Sequence, residues 1–115
     1  MTVRSLAAAA LVVLASFVLS PVAAPASQAT SVTVTASEFK FKLSTSSAKA
    51  GSVTFKVTNK VKIPHDFKIA GKKTPMLKPG KSATITATIK KGKNAYLCTV
   101  SGHAGLGMKG SFTGK

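Results

Sequence analysis

Acidic residues are nearly absent from this chain: its 115 residues include two, Glu38 and Asp66, against 17 Lys plus Arg. Two carboxylates leave little from which to build an acid–base pair, and no phosphate-cradling glycine loop is present, so the sequence reads as a non-enzyme. Trp is missing, Tyr occurs once, and the single arginine is Arg4. Arginine is the usual reader of base edges, and aromatic rings supply stacking. Their scarcity excludes specific nucleic-acid recognition as the role, despite a formal charge of +15. One cysteine, Cys98, rules out an internal disulfide, the device on which many small exported domains depend. The longest apolar run, Leu6 to Leu19 interrupted by Ser16, spans 14 residues, short of the ~20 that a membrane-crossing helix needs.

That run has a basic residue before it and the small-residue stretch V-A-A-P-A-S-Q-A after it. This is the order of a secretory signal. Residues 1–29 are expected to be the signal, cut after Ala26 or Ala29, and residues 30–115 a single exported domain, periplasmic or extracellular. Without Arg4 the 17 basic residues become 16 lysines against 2 acids, a side-chain sum of +14. Such a field favours acidic partners or anionic surfaces. The expected partners are an acidic redox protein, such as a membrane-bound oxidase or reductase, and the anionic cell envelope. The domain is expected to be a monomer. An exported lone thiol is open to oxidation unless something protects it, and metal ligation is one such protection.

The hydropathy period is two almost throughout. Val32 and Val34 alternate with threonines, and Phe39, Phe41 and Leu43 alternate with Lys40 and Lys42. Val53, Phe55 and Val57 form a third face, Phe67 and Ile69 a fourth. Ala83, Ile85, Ala87 and Ile89 oppose Thr84, Thr86 and Thr88. Further strands are expected over 94–100 and 109–113, with punctuation at A-G-S, K-P-G and K-K-G. Seven to eight short strands and no helix predict an all-β domain, a β-sandwich or small Greek-key barrel. Most lysines then lie on solvated strand faces. Met76 reads as packing, Glu38 as a surface residue.

The chemistry gathers in Y-L-C-T-V-S-G-H-A-G-L-G-M-K-G, residues 96–110, where Cys98, His103 and Met108 follow the spacing C-x4-H-x4-M. Gly102, Gly105, Gly107 and Gly110 give this segment freedom to fold back on itself. The one other histidine is His65, in K-I-P-H-D-F. A thiolate, two imidazoles and a thioether are the donors of an electron-transfer copper site. Cys and His also suit zinc, but a thioether does not, and four protein donors leave no open position for hydrolysis.

The stretches P-H-D-F, L-K-P-G-K-S-A-T, Y-L-C-T-V-S-G-H and G-M-K-G resemble the cupredoxins, the small blue-copper family of plastocyanin and azurin. The likeness runs over residues 31–114. It implies a Greek-key β-sandwich holding one type 1 copper ion on His65, Cys98, His103 and Met108. It also implies one-electron transfer between redox partners, with the His103 ring edge reaching the surface inside a docking patch of Ala104, Gly105 and Leu106. The ligand loop is longer than the C-x2-H-x4-M of plastocyanins and differs from azurin's C-x4-H-x3-M, so no subfamily follows. Asp66 stands where the family commonly has Asn. Its carboxylate is expected to accept from Thr99, and its charge to favour Cu(II). Two rival roles remain: a copper-buffering or delivery protein, and a cationic surface-binding domain with a vestigial site.

Overall fold

A computed structural model describes residue 2, residues 13–16 and residues 30–115. The signal expected over residues 1–29, with its cleavage after Ala26 or Ala29, otherwise lies outside the described residues. No helix among them is long and apolar enough to cross a membrane.

The domain is an all-β sandwich of two mixed sheets. Its strands are β1 (Thr30–Ser37), β2 (Lys40–Leu43), β3 (Ser47–Ala48), β4 (Gly51–Asn59), β5 (Lys68–Ile69), β6 (Lys72–Lys73), β7 (Ser82–Ile89), β8 (Gly92–Leu97) and β9 (Lys109–Gly114). One sheet runs β2-β1-β4-β7 and the other β3-β9-β8-β5-β6. β1 lies parallel to β4, and β3 parallel to β9; every other pairing is antiparallel. The count exceeds the expected seven to eight because β3 and β6 are two-residue strands, too short to show a period. β3 arises within S-T-S-S-A-K-A-G, which composition marks only as a polar loop.

The alternating pattern sets the sandwich. Val32, Val34, Val53, Phe55 and Val57 from one sheet meet Phe67, Ile69 and Phe112 from the other in one buried cluster. Phe55 packs edge-on to Phe112 and tilted against Phe67, at centroid distances of 5.3 and 5.6 Å. Each such ring buries on the order of 150–250 Å² and dominates a small core. The outer face of the four-stranded sheet is hydroxylic: Thr54 meets Thr86 at 3.0 Å and Thr58 meets Ser82 at 2.8 Å. Cross-strand pairs of this kind stabilise an exposed sheet face.

Two expectations need correction. Met76 is 51 % exposed and packs in no core cluster; it follows Pro75 in a loop, where no strand period applies. Phe39 is not in β2 but in the two-residue turn before it, half-buried, with φ of 63°. Alternation placed it on the core face with Phe41, but the chain reverses between Ser37 and Lys40.

Candidate metal centre

The irregular ends of the five-stranded sheet carry the candidate ligands. Cys98 lies one residue beyond β8, Met108 one residue before β9, and the Cys98 N–H donates to the Met108 carbonyl at 3.0 Å. The loop between them closes on itself. His103 N–H donates to the Val100 carbonyl and Met108 N–H to the His103 carbonyl. A single 3-10 turn, Ala104–Leu106, brings the chain round and ends at Gly107 in the left-handed conformation, φ 109°. Gly102, at φ 83°, opens the turn. Both positions favour glycine for want of a Cβ. Gly110 is needed for another reason: the Tyr96 ring lies over it, where a side chain would collide. Gly105 has ordinary φ and open space around it, so the expected need for flexibility does not extend there.

His65 arrives from the β4–β5 connection. It exchanges two backbone hydrogen bonds with Leu77, at 3.2 and 2.7 Å. Asn59, fully buried at the end of β4, fixes this segment. Its amide donates to the carbonyls of Ile63 and Leu77, each at 2.8 Å, and its Oδ1 accepts from Val61 N–H. Sequence reasoning did not single out Asn59. The signal was present, because Asn59 occupies the next inward position after Val53, Phe55 and Val57.

His65, Cys98 and His103 converge on one point. The two Nδ1 atoms are 3.1 Å apart, and Cys98 Sγ lies 3.9 Å from that of His65 and 3.6 Å from that of His103. A triangle with these sides has a point about 2.1 Å from all three corners, close to typical metal–nitrogen and metal–sulfur bond lengths. All three residues are buried, as is Met108, which packs with Cys98 and Ala36 in a small cluster of its own. The donor set and its spacing fit a single metal ion. Thiolate, two imidazoles and a nearby thioether are the copper-selecting combination.

Burial pushes the Cys98 thiol above its ordinary pKa; backbone N–H groups of Asp66 and Val100 oppose this, and the Asp66 charge adds to it. Burial lowers the pKa of His65, with the neighbouring His103 acting the same way and Glu38 and Asp66 acting against. A neutral imidazole is the form a metal takes. Asp66 is itself buried and accepts twice from Thr99, from the N–H at 2.6 Å and from the hydroxyl. This tie locks the residue after His65 to the residue after Cys98. His65 Nε2 is buried without a hydrogen-bond partner.

His103 keeps 9 % of its surface; the sealed ring nitrogen without a partner is that of His65, not of His103. The Phe39 ring meets the His103 ring edge-on. Of the expected docking patch, Gly105 and Leu106 are exposed, Leu106 at 63 %, and Ala104 is half-buried.

No curated protein matches the sequence. Solved structures share the fold. Reduced auracyanin from the photosynthetic bacterium Roseiflexus castenholzii superposes with a TM-score of 0.65 at 20 % identity, covering 76 % of this chain and 98 % of that one. Reduced rusticyanin gives 0.65 at 20 %, covering 78 % and 81 %. Auracyanin A, a "blue" copper protein from the green thermophilic Chloroflexus aurantiacus, gives 0.60 at 18 %, covering 74 % and 98 %. The family model described as the cupredoxin-like domain matches residues 7–110, and the chain belongs to that family.

Proposed function

We propose that this domain is an exported one-electron carrier with one type 1 copper ion held by His65, Cys98, His103 and Met108. The observation that carries the reading is the triangle of two Nδ1 atoms and one Sγ. Copper there would supply a one-electron couple between Cu(I) and Cu(II). The chain's part is to keep the donors from moving. The Cys98–Met108 and His103–Met108 backbone hydrogen bonds, and the double tie from Thr99 to Asp66, fix all four ligand positions. Burial of the ligands excludes water from the centre. A rigid, dry site changes little between oxidation states, which suits rapid electron exchange rather than hydrolysis.

The lysines supply the partner preference. Lys109, Leu97, Lys68 and Lys73 form one row across four strands of the five-stranded sheet. Lys68 and Lys73 are directly opposite, an arrangement that disfavours folding on its own. Neither acid of the chain lies in this row to relieve it. Leu97 precedes Cys98, so an acidic redox partner seated on the row would lie one residue from the candidate thiolate ligand. Encounter with it should slow as salt rises.

The test is optical and electrochemical. Residues 30–115 loaded with Cu(II) should be intensely coloured and give a reversible one-electron wave, and Cys98→Ser should lose both. A colourless Cu(II) complex of the unsubstituted domain overturns the reading. One observation favours copper buffering or delivery instead: His65 Nε2 lacks the outer hydrogen bond that metal-bound histidines usually make. Rapid transfer of Cu(I) to a competing chelator, with poor retention of Cu(II), would establish that role.

A further inference from the structure

Phe39 has a backbone conformation that its turn does not require of an aromatic residue. β1 and β2 are joined by Glu38 and Phe39 alone, with Ser37 opposite Lys40. Phe39 sits at φ 63°, the left-handed region that glycine enters freely and bulky side chains avoid. Among the described residues one other non-glycine has positive φ, Ala70 at 48°. Its turn explains it: Ala70 and Gly71 are both positive, as a two-residue hairpin of type I′ demands. The turn at Phe39 would be served better by glycine.

Strain of this kind persists where the surroundings hold it, and it gathers at functional sites. What the strained backbone achieves here is a contact. The Phe39 ring meets the His103 imidazole edge-on, with centroids 5.2 Å apart and planes at 78°. Its backbone also lies against the ligand loop, since a Cβ on Gly107 would touch the Phe39 carbonyl at 3.5 Å. The turn therefore reaches across from the four-stranded sheet to His103 and its loop. On its inner side the His103 ring faces His65 and Cys98 through Nδ1. Among the described residues no side-chain hydrogen bond fixes the rest of the ring, and Phe39 is the aromatic neighbour, besides His65, that packs against it.

We infer that Phe39 is a positioning residue for His103: it sets the plane of the imidazole. Its role toward copper rests on the proposed function, whereas its hold on the ring does not. The strain makes a discriminating variant available. Phe39→Gly relieves the turn while removing the ring, so the metal-free variant should unfold at no lower urea concentration than the parent. In the metal-free protein, nuclear Overhauser contacts from the His103 ring to Cys98 and His65 should weaken or average in Phe39→Gly and return in Phe39→Tyr. In the copper-loaded protein, Phe39→Gly should release metal to a chelator about 10-fold faster, the low end of what outer groups around a metal contribute. Its visible band and potential should shift, and Phe39→Tyr should restore all three. Parental ring contacts and release rate in Phe39→Gly overturn the inference. So does faster release that merely follows a loss of fold stability. A parent that takes no copper defeats the proposed function, while the ring contacts still decide the role of Phe39.

Discussion

Within the four-stranded sheet, β4 pairs with β1 over seven positions and with β7 over eight. Within the five-stranded sheet, β5 meets each of its neighbours over two. Long ladders with one buried face fix register firmly, because a one-residue slip would turn every core side chain outward. Short ones leave the chain free to depart. Cys98 departs from β8, Met108 precedes β9, and His65 precedes β5; no candidate ligand belongs to the four-stranded sheet. One layer is scaffold, and the other gives up regularity to bring donors together at one end. The turn at Phe39 is where the scaffold reaches back to the site.

If the layers divide labour in this way, they should fail differently. The largest effect is expected from Phe55→Ala, at the centre of β4 and in contact with both Phe67 and Phe112. Removing a buried Phe side chain costs about 3–5 kcal/mol. Urea unfolding of the metal-free domain should show a loss of that size. The fraction that remains folded should still bind copper with the parental visible spectrum. A changed spectrum in the folded fraction would mean that the two layers are not separable.

A smaller effect, confined to the site, is expected from Asp66→Asn. The carboxylate accepts from Thr99 N–H and hydroxyl, and its charge raises the Cys98 pKa. Asn keeps an acceptor for the N–H but loses the charge. With less negative charge beside the thiolate, Cu(I) gains relative to Cu(II), and the reduction potential should rise. A tenfold change in relative affinity for the two states is about 59 mV for one electron, and a rise on the order of half to one such step is expected by voltammetry. An unchanged or lower potential, with urea stability preserved, would show that the carboxylate serves only as a tether.

The same contrast explains which parts of the molecule were legible in the sequence. Alternation exposed β1, β4 and β7 because each is long, with one face buried and the other rich in Thr, Ser or Lys. The candidate ligands stood out because rare donor types have few alternatives: one cysteine and two histidines in 115 residues. Phe39 was misplaced because F-K-F-K-L continues the strand period through the turn, with no Gly, Asn or Pro to mark the reversal. The two-residue strands β3 and β6 carry too few positions to show any period. Asn59 went unnoticed although a polar side chain on an inward position requires partners; here they are the carbonyls that shape the approach to His65.

The smallest expected effect is a pH dependence that only the site layer should show. In the metal-free protein, burial first, and then His103, holds the His65 pKa below its ordinary value, against the opposing charges of Glu38 and Asp66. Unfolding returns it to about 6.5. Below that value the unfolded chain binds a proton that the folded site resists, so stability falls as pH falls. The contribution is fully present above about pH 6.5 and is lost progressively as pH drops toward the depressed folded value. The urea midpoint of the metal-free domain should therefore be lower at pH 5.5 than at pH 7.5. His65→Gln removes the titrating group and should flatten that difference. Phe55→Ala lies in the other layer and should lower the midpoint at both pH values while leaving the difference intact. If His65→Gln kept the full slope, the acid sensitivity would have to come from elsewhere.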